Sequence, residues 1–213
     1  MGIQSENLLD TARSMPAVSV SAPARAGYHH GDLPAALRAA AIDIIEESGV
    51  GGFSLSRAAK LADVSSGAPY QHYRDGQALL ADIAVHGSRD LAAVMRAVTA
   101  PGPAELLGKL AAAQARFACT HQAVYSVMCH CALSQEVSPE LISEGEQVIE
   151  IIRQAAGRLA GPGEVENLTL AAVAVAQGFA LLSASTGMAA GASAKMAARA
   201  RQAATVLARN AAQ

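Results

Sequence analysis

Five residues near the middle of the chain have the chemistry of a metal or redox site: Cys119, His121, Cys129, His130 and Cys131. Their spacing argues against one shared ion. Each residue of an α-helix turns about 100°, so positions two apart point about 200° from each other, and Cys129 and Cys131 cannot meet one ion without breaking the helix. Buried thiols also behave as small hydrophobes. Ordinary core thiols are the simpler reading, and a redox- or metal-responsive region at Cys119–Cys131 is the alternative. Glu144, Glu146 and Glu150 have the helical spacing of a solvated face. The sequence shows no Gly-rich phosphate loop, nucleophile elbow or paired-carboxylate site. No catalytic residue, metal ligand or cofactor is assigned, and no enzyme is expected. An all-helical small-molecule-binding protein or enzyme built around the C-terminal half remains the rival.

A second constellation is polar without being acidic: Ser65-Ser66-Gly67-Ala68-Pro69-Tyr70-Gln71-His72. Small residues let a backbone approach another molecule closely. Hydroxyls, Gln71 and His72 offer partners to phosphates and base edges, and a helix N-terminus favours an anion. Ser54 caps a short helix to about Ala62, with Phe53 placed as a hydrophobic staple. Asp63-Val64-Ser65 makes a tight turn, and a very short helix follows from Ser65 or Ser66 to about Tyr73. Two short helices joined in this way are the content of a helix-turn-helix. Such pairs also occur in all-α proteins that serve only structure, so the pattern alone leaves both readings open.

The elements that must hold this segment are helical throughout. The chain has 213 residues, 52% of them hydrophobic and only 3% aromatic, with no tryptophan. Much of the apolar material is alanine, the best helix former. Asp32 can cap a helix carrying Leu33, Leu37, Ala41, Ile44 and Ile45 at helical spacing, with Pro34 in its first turn and Gly49 as its stop. From Asp75 a helix runs to about Thr99, where Pro101-Gly102-Pro103 breaks the chain. Further helices are expected near 103–119, 121–134, 140–160, 164–186 and 193–210, with breakers at Ser138-Pro139, Gly161-Pro162-Gly163 and Gly187 to Gly191. No stretch alternates as a strand does. Residues 1–27, rich in Ser, Ala and Pro, read as a disordered tail.

With these elements in place, the sequence resembles the TetR family of repressors. The resemblance rests on Ser54-Leu55-Ser56-Arg57-Ala58-Ala59, on Ala62-Asp63-Val64 followed by Ser65 to Tyr73, and on Ala78-Leu79-Leu80. Tyr28-His29-His30-Gly31-Asp32-Leu33 is similar to the lead-in of the first helix in one branch of that family. Arg116-Phe117, His121-Gln122-Ala123-Val124-Tyr125 and Met128 resemble the mid-chain of the same branch.

The resemblance implies an Ω-shaped homodimer with three units per chain: the tail (1–27), a three-helix helix-turn-helix DNA-binding domain (28–82) and a larger helical effector-binding and dimerisation domain (83–213). It implies a sequence-specific repressor released from a palindromic operator by a small molecule. Ser65, Ser66, Ala68, Pro69, Gln71 and His72 would face or flank the major groove. Gly67 would permit close approach, and Ser54, Arg57 and Tyr70 would meet phosphates. Tyr73 matches an aromatic packed between helices. Two departures stand out. The branch's later Trp…His-Gly motif reads Ala172…Gln177-Gly178 here, and Gly76 stands where most members place a lysine.

Charge gives a weak footprint for DNA. The chain carries a net −2, and residues 25–90 hold six basic against eight acidic residues. Arg57, Lys60 and Arg74 nonetheless lie in or beside the motif. Three cysteines and no secretory signal suit reduced thiols in the cytoplasm. Asn167 to Ala194 contains no charged residue. Its Asn167, Thr169, Gln177 and Ser183 argue against a membrane helix, and a face shared with a second subunit explains the run better. The expected dimer therefore uses helices 164–186 and 193–210. A mostly hydrophobic effector would lie between helices, with Phe117, His121, Tyr125, Met128, Gln177 and Phe179 as lining candidates. The helix from Asp75 to Thr99 is expected to be the sole link between the domains.

Overall fold

The structure, a computed structural model, describes residues 32–132, 134, 138–185 and 190–211. Among them are eight α-helices and no strand. The tail and the Tyr28–Gly31 lead-in, with His29 and His30, lie outside the described residues, as does Gly187.

Helix α1 (Leu33–Ser48) starts where Oδ1 of Asp32 accepts the Ala35 N–H at 3.0 Å, with Pro34 in the first turn. It stops at Gly49, whose φ of 70° is open to glycine at little cost. A 3₁₀ turn at Val50–Gly52, not expected from the sequence, leads to Ser54. The Ser54 hydroxyl caps α2 (Leu55–Leu61) by accepting the Arg57 N–H at 3.2 Å. Asp75 caps α3 (Gly76–Arg96) in the same way, at 2.9 Å from the Ala78 N–H.

The remaining helices are α4 (Pro103–Thr120), α5 (Gln122–Ala132), α6 (Pro139–Ala156), α7 (Val165–Ser185) and α8 (Ala190–Ala211). Two boundaries differ from expectation. Helix α6 ends at Ala156 rather than near 160, because Gly157 and the Gly161-Pro162-Gly163 run cannot sustain it. Helix α8 starts at Ala190 and passes through Gly191, where the sequence suggested a break. Alanines on either side of Gly191 carry the helix across it.

The cores explain how the parts are joined. Leu37, Ala41, Ile44 and Ile45 of α1 share one buried cluster with Leu79, Leu80 and Ile83 of α3. That cluster also takes in Ala123, Val124, Val127 and Cys131 of α5 and Leu141 of α6. The expectation that α3 alone links the domains is therefore corrected. Helix α5 lies against α1 and is a second bridge.

A second cluster gathers Leu91, Met95, Leu107, Leu110, Phe117, Tyr125, Ile152 and Leu168. A third is almost all alanine: Ala111, Ala112 and Ala115 of α4 against Ala176 of α7 and Ala197, Ala200 and Ala204 of α8. Alanine and glycine allow this approach, since a Cβ on Gly108 would stand 2.7 Å from the Arg201 carbonyl oxygen. The uncharged run forms α7. Val165–Leu182 is long and apolar enough to cross a membrane by length and composition. Its stripe Leu168, Ala172, Ala176 and Ala180 is buried against the other helices.

Candidate nucleic-acid interface

The turn after α2 is set by Asp63, whose φ of 55° lies in the left-handed region that Asp tolerates better than most residues. The Val64 N–H then donates to the Ala59 carbonyl at 3.0 Å. Beyond it, the expected short helix from Ser65 or Ser66 to Tyr73 is not formed. Only a 3₁₀ turn at Ala68–Gln71 is present. Pro69 lacks the N–H that a first helical turn continuing from Ser65 would use, and the segment closes through Ala68 N–H to Ser65 O at 3.0 Å and His72 N–H to Pro69 O at 3.0 Å. A four-residue turn has too few aligned peptides for a strong end dipole. Any polyanion met here would be met by side chains rather than by a helix N-terminus.

Pro69 and Tyr73, four residues apart, are both buried and fix the segment to the domain. Ser65, Ser66, Gly67, Tyr70, Gln71 and His72 are exposed, Ala68 is half-buried, and Tyr70 is 60% exposed. The Tyr73 hydroxyl donates to Oδ2 of Asp82 at 2.6 Å, and Nη1 of Arg38 donates to the same oxygen at 2.9 Å. His86 Nδ1 stands 3.2 Å from the other carboxylate oxygen. Burial works against ionised Asp82, but the bonds from Tyr73 and Arg38 outweigh it and leave its pKa below the ordinary value. This cluster, which the sequence did not signal beyond Tyr73, ties the recognition turn to α1 and α3.

Ser54 and Arg57 are exposed at the start of α2. The Arg57 side chain, expected at a phosphate, is turned back onto the end of α1. It donates to the Gly52 carbonyl and to Ser48 Oγ, the latter at 3.2 Å, and Glu47 lies 3.7 Å away. Lys60 is exposed beside a shallow groove of about 220 Å³ lined by Ser56, Asp63, Val64 and Ser66. Gly76 sits under Phe53, and a Cβ there would meet Phe53 Cε1 at 3.2 Å.

The six residues expected to line an effector pocket fall into four places. Phe117 and His121 stack with ring centroids 4.5 Å apart. Tyr125 and Gln177 meet directly, the phenol donating to Gln177 Oε1 at 2.8 Å. Met128 is half-buried between the two larger cores, and Phe179 packs against the alanine cluster. The sequence reading missed Gln114, which donates to both Tyr125 Oη at 3.0 Å and Gln177 Oε1 at 2.9 Å from a buried position on α4. An amide in the apolar stripe Leu110–Phe117 was the available signal.

Cys129 accepts from Gln177 Nε2 at 3.4 Å, whereas Cys131 faces the core shared with α1 and the start of α3. The two thiols thus point to opposite sides of α5. Burial raises the pKa of both.

No family model and no curated protein sequence matches the chain. Solved structures do. A protein of unknown function from Rhodococcus sp. RHA1 is 29% identical and superposes with a TM-score of 0.72 over 87% of this chain and 98% of its own. A regulatory protein in the tetR family from Rhodococcus RHA1 is 21% identical, with a TM-score of 0.67 over 82% of this chain and 96% of that one. The TetR family transcriptional regulator PfmR from Thermus thermophilus is 20% identical, with a TM-score of 0.63 over 81% of this chain and 96% of that one. The chain has the all-helical fold of the TetR-family regulators.

Proposed function

We propose that this chain is a transcriptional repressor of the TetR type, binding a palindromic operator as a homodimer in the cytoplasm and released by a small, mostly hydrophobic effector. The observation that carries the reading is the division within residues 65–73. Pro69 and Tyr73 anchor the segment in the core while Ser65, Ser66, Tyr70, Gln71 and His72 stand in solvent. A purely structural turn has no need to display five hydrogen-bonding side chains from one rigid platform.

Dimerisation uses α7 and α8. Leu170, Leu181 and Leu182 of α7 and Val206 of α8 are exposed, Leu170 at 58% and Val206 at 52%. Ala174 and Gly178 lie between the leucines on the outer side of α7, where a second helix can approach closely. Two helices from each copy form a four-helix bundle about a two-fold axis. An effector acts through α3, α5 and α6, which have residues in both of the larger cores, by binding the DNA-free arrangement more tightly than the DNA-bound one.

The test is a gel shift with DNA flanking the chain's own coding region, titrated against salt. A retarded, sequence-dependent complex whose affinity falls as salt rises supports the reading. Equal binding to unrelated duplexes, or none, overturns it.

A further inference from the structure

After Glu166 the chain contains no Asp or Glu, yet α8 carries Lys195, Arg199, Arg201 and Arg209. In a chain of net charge −2 this is a strong local excess of positive charge. All four residues are exposed, and none forms an ion pair among the described residues. On α3 and α6, by contrast, Arg89 bridges Glu140 and Glu144, and Arg153 meets Glu150 and Glu166. The positive field of α8 reaches α4 as well. Desolvation, and then the charge of Arg201, hold the Arg116 guanidinium below its ordinary pKa.

Ala197, Ala200, Ala204 and Ala208 form the buried side of α8. Lys195, Arg199, Gln202, Val206 and Arg209 recur at helical spacing on the opposite side. Between this side and α7 runs an open groove of about 590 Å³. Val175, Ala203, Val206 and Leu207 give it an apolar floor, and Arg199, Gln202 and Asn210 give it a rim of one guanidinium and two amides. That rim is rich in N–H donors and lacks any carboxylate. Guanidinium presents paired N–H groups that match an oxyanion in a bidentate fashion.

The consequence follows from symmetry, and it rests on the α7–α8 dimer proposed above. A two-fold interface puts like surface against like surface. Neither α8 nor α7 beyond Glu166 carries an Asp or Glu, so an interface built from these two helices brings cations together with no counter-charge from either helix. We propose that the groove is covered by a second copy and that an oxyanion of the phosphate class is held between the two copies by Arg199, Gln202 and Asn210, making dimerisation anion-dependent.

The experiment is sedimentation of the full chain over a range of concentrations, with inorganic phosphate exchanged for chloride at equal ionic strength. Phosphate should tighten the wild-type dimer, by about tenfold once it exceeds its own dissociation constant tenfold. Titration calorimetry should find phosphate binding to the wild-type dimer and none to Arg199→Gln. Arg199→Gln should dimerise at least as well as wild type in chloride and show no phosphate response. Arg201→Gln removes the same charge from the flank facing Gly108 and should keep the response. A wild-type dimer of equal strength in both buffers overturns the anion site and leaves the dimer standing. Loss of the response in Arg201→Gln, or its survival in Arg199→Gln, overturns the assignment to the groove. A monomer in every buffer overturns the dimer itself.

Discussion

The Tyr73 hydroxyl and Asp82 Oδ2 are 2.6 Å apart, in a bond that runs from the end of the recognition turn to the middle of α3. The pair predicts how stability depends on pH. The Asp82 carboxyl is depressed on folding, so its contribution is present above its unfolded pKa of about 3.9 and is lost as pH falls through the folded value. Tyr73 shifts upward, first by burial and then by its bond to Asp82. Its contribution is full below the unfolded pKa of about 10 and fades as pH rises above that. Tyr73→Phe should lower stability by about 1 kcal/mol near neutrality and remove Tyr73's share of the alkaline loss, leaving the share of Tyr125, whose pKa burial also raises. Urea denaturation across the pH range checks both. An unchanged alkaline limb in the variant would mean the Tyr73 bond is not what holds the turn.

Gly87 lies within α3 on the side that meets α5. It is a point of close packing: a Cβ there would stand 2.6 Å from Val124 Cγ1 and 2.8 Å from Met128 Sδ on α5. Gly87→Ala should therefore cost about 1–3 kcal/mol by overpacking, despite alanine's better helix propensity. Val124→Ala in the same chain should recover part of that loss, giving a favourable coupling in a double-mutant cycle. Additive losses would show that α3 and α5 are free to separate there.

The helix caps were legible because their cause is local. Asp32, Ser54 and Asp75 each accept an N–H three residues on, and no distant residue is needed. The turn at residues 65–73 is shorter than expected through a local effect of another kind: the missing Pro69 N–H limits it to the 3₁₀ turn at Ala68–Gln71. The remaining misses are long-range. Nothing in the spacing of Arg57 says that Gly52, Ser48 and Glu47 will claim it. Gln114, Tyr125 and Gln177 lie on three separate helices, and only the folded bundle brings them together. Helix α5 has apolar residues on two sides, which a single-core reading assigns to one partner.

Gly76 tests whether a missing phosphate contact can be restored. Gly76→Lys would add a cation at the start of α3, beside the recognition turn, and Phe53 must yield by a few tenths of an ångström because its Cε1 would lie 3.2 Å from the new Cβ. The variant should bind all duplexes more tightly and steepen the dependence of log affinity on log salt by about one. Base preference should stay as it is, since phosphate contacts carry no sequence information. A changed preference, or an unchanged slope, would place residue 76 away from the backbone of the duplex.

The sharpest division is between Tyr70 and Gln71, neighbours that both stand in solvent on the same turn. In the proposed complex Tyr70 meets a phosphate, whereas Gln71 faces base edges. Tyr70→Phe removes one hydroxyl and should weaken binding nearly evenly across operator variants, by about 1 kcal/mol. Gln71→Ala should relax preference at one base pair in each half-site, because a bidentate side-chain contact contributes about 1–3 kcal/mol of discrimination. A two-fold dimer requires the affected pairs to be symmetric about the operator centre, with half-sites roughly one helical turn apart or a multiple of it. The measurement is a binding titration of wild type and both variants against operators with each base pair changed in turn. If Gln71→Ala loses affinity evenly while Tyr70→Phe shifts base preference, the two roles are exchanged. Because the segment is a four-residue 3₁₀ turn rather than a longer helix, the effect of Gln71→Ala should stay confined to a single position and not spread to its neighbours.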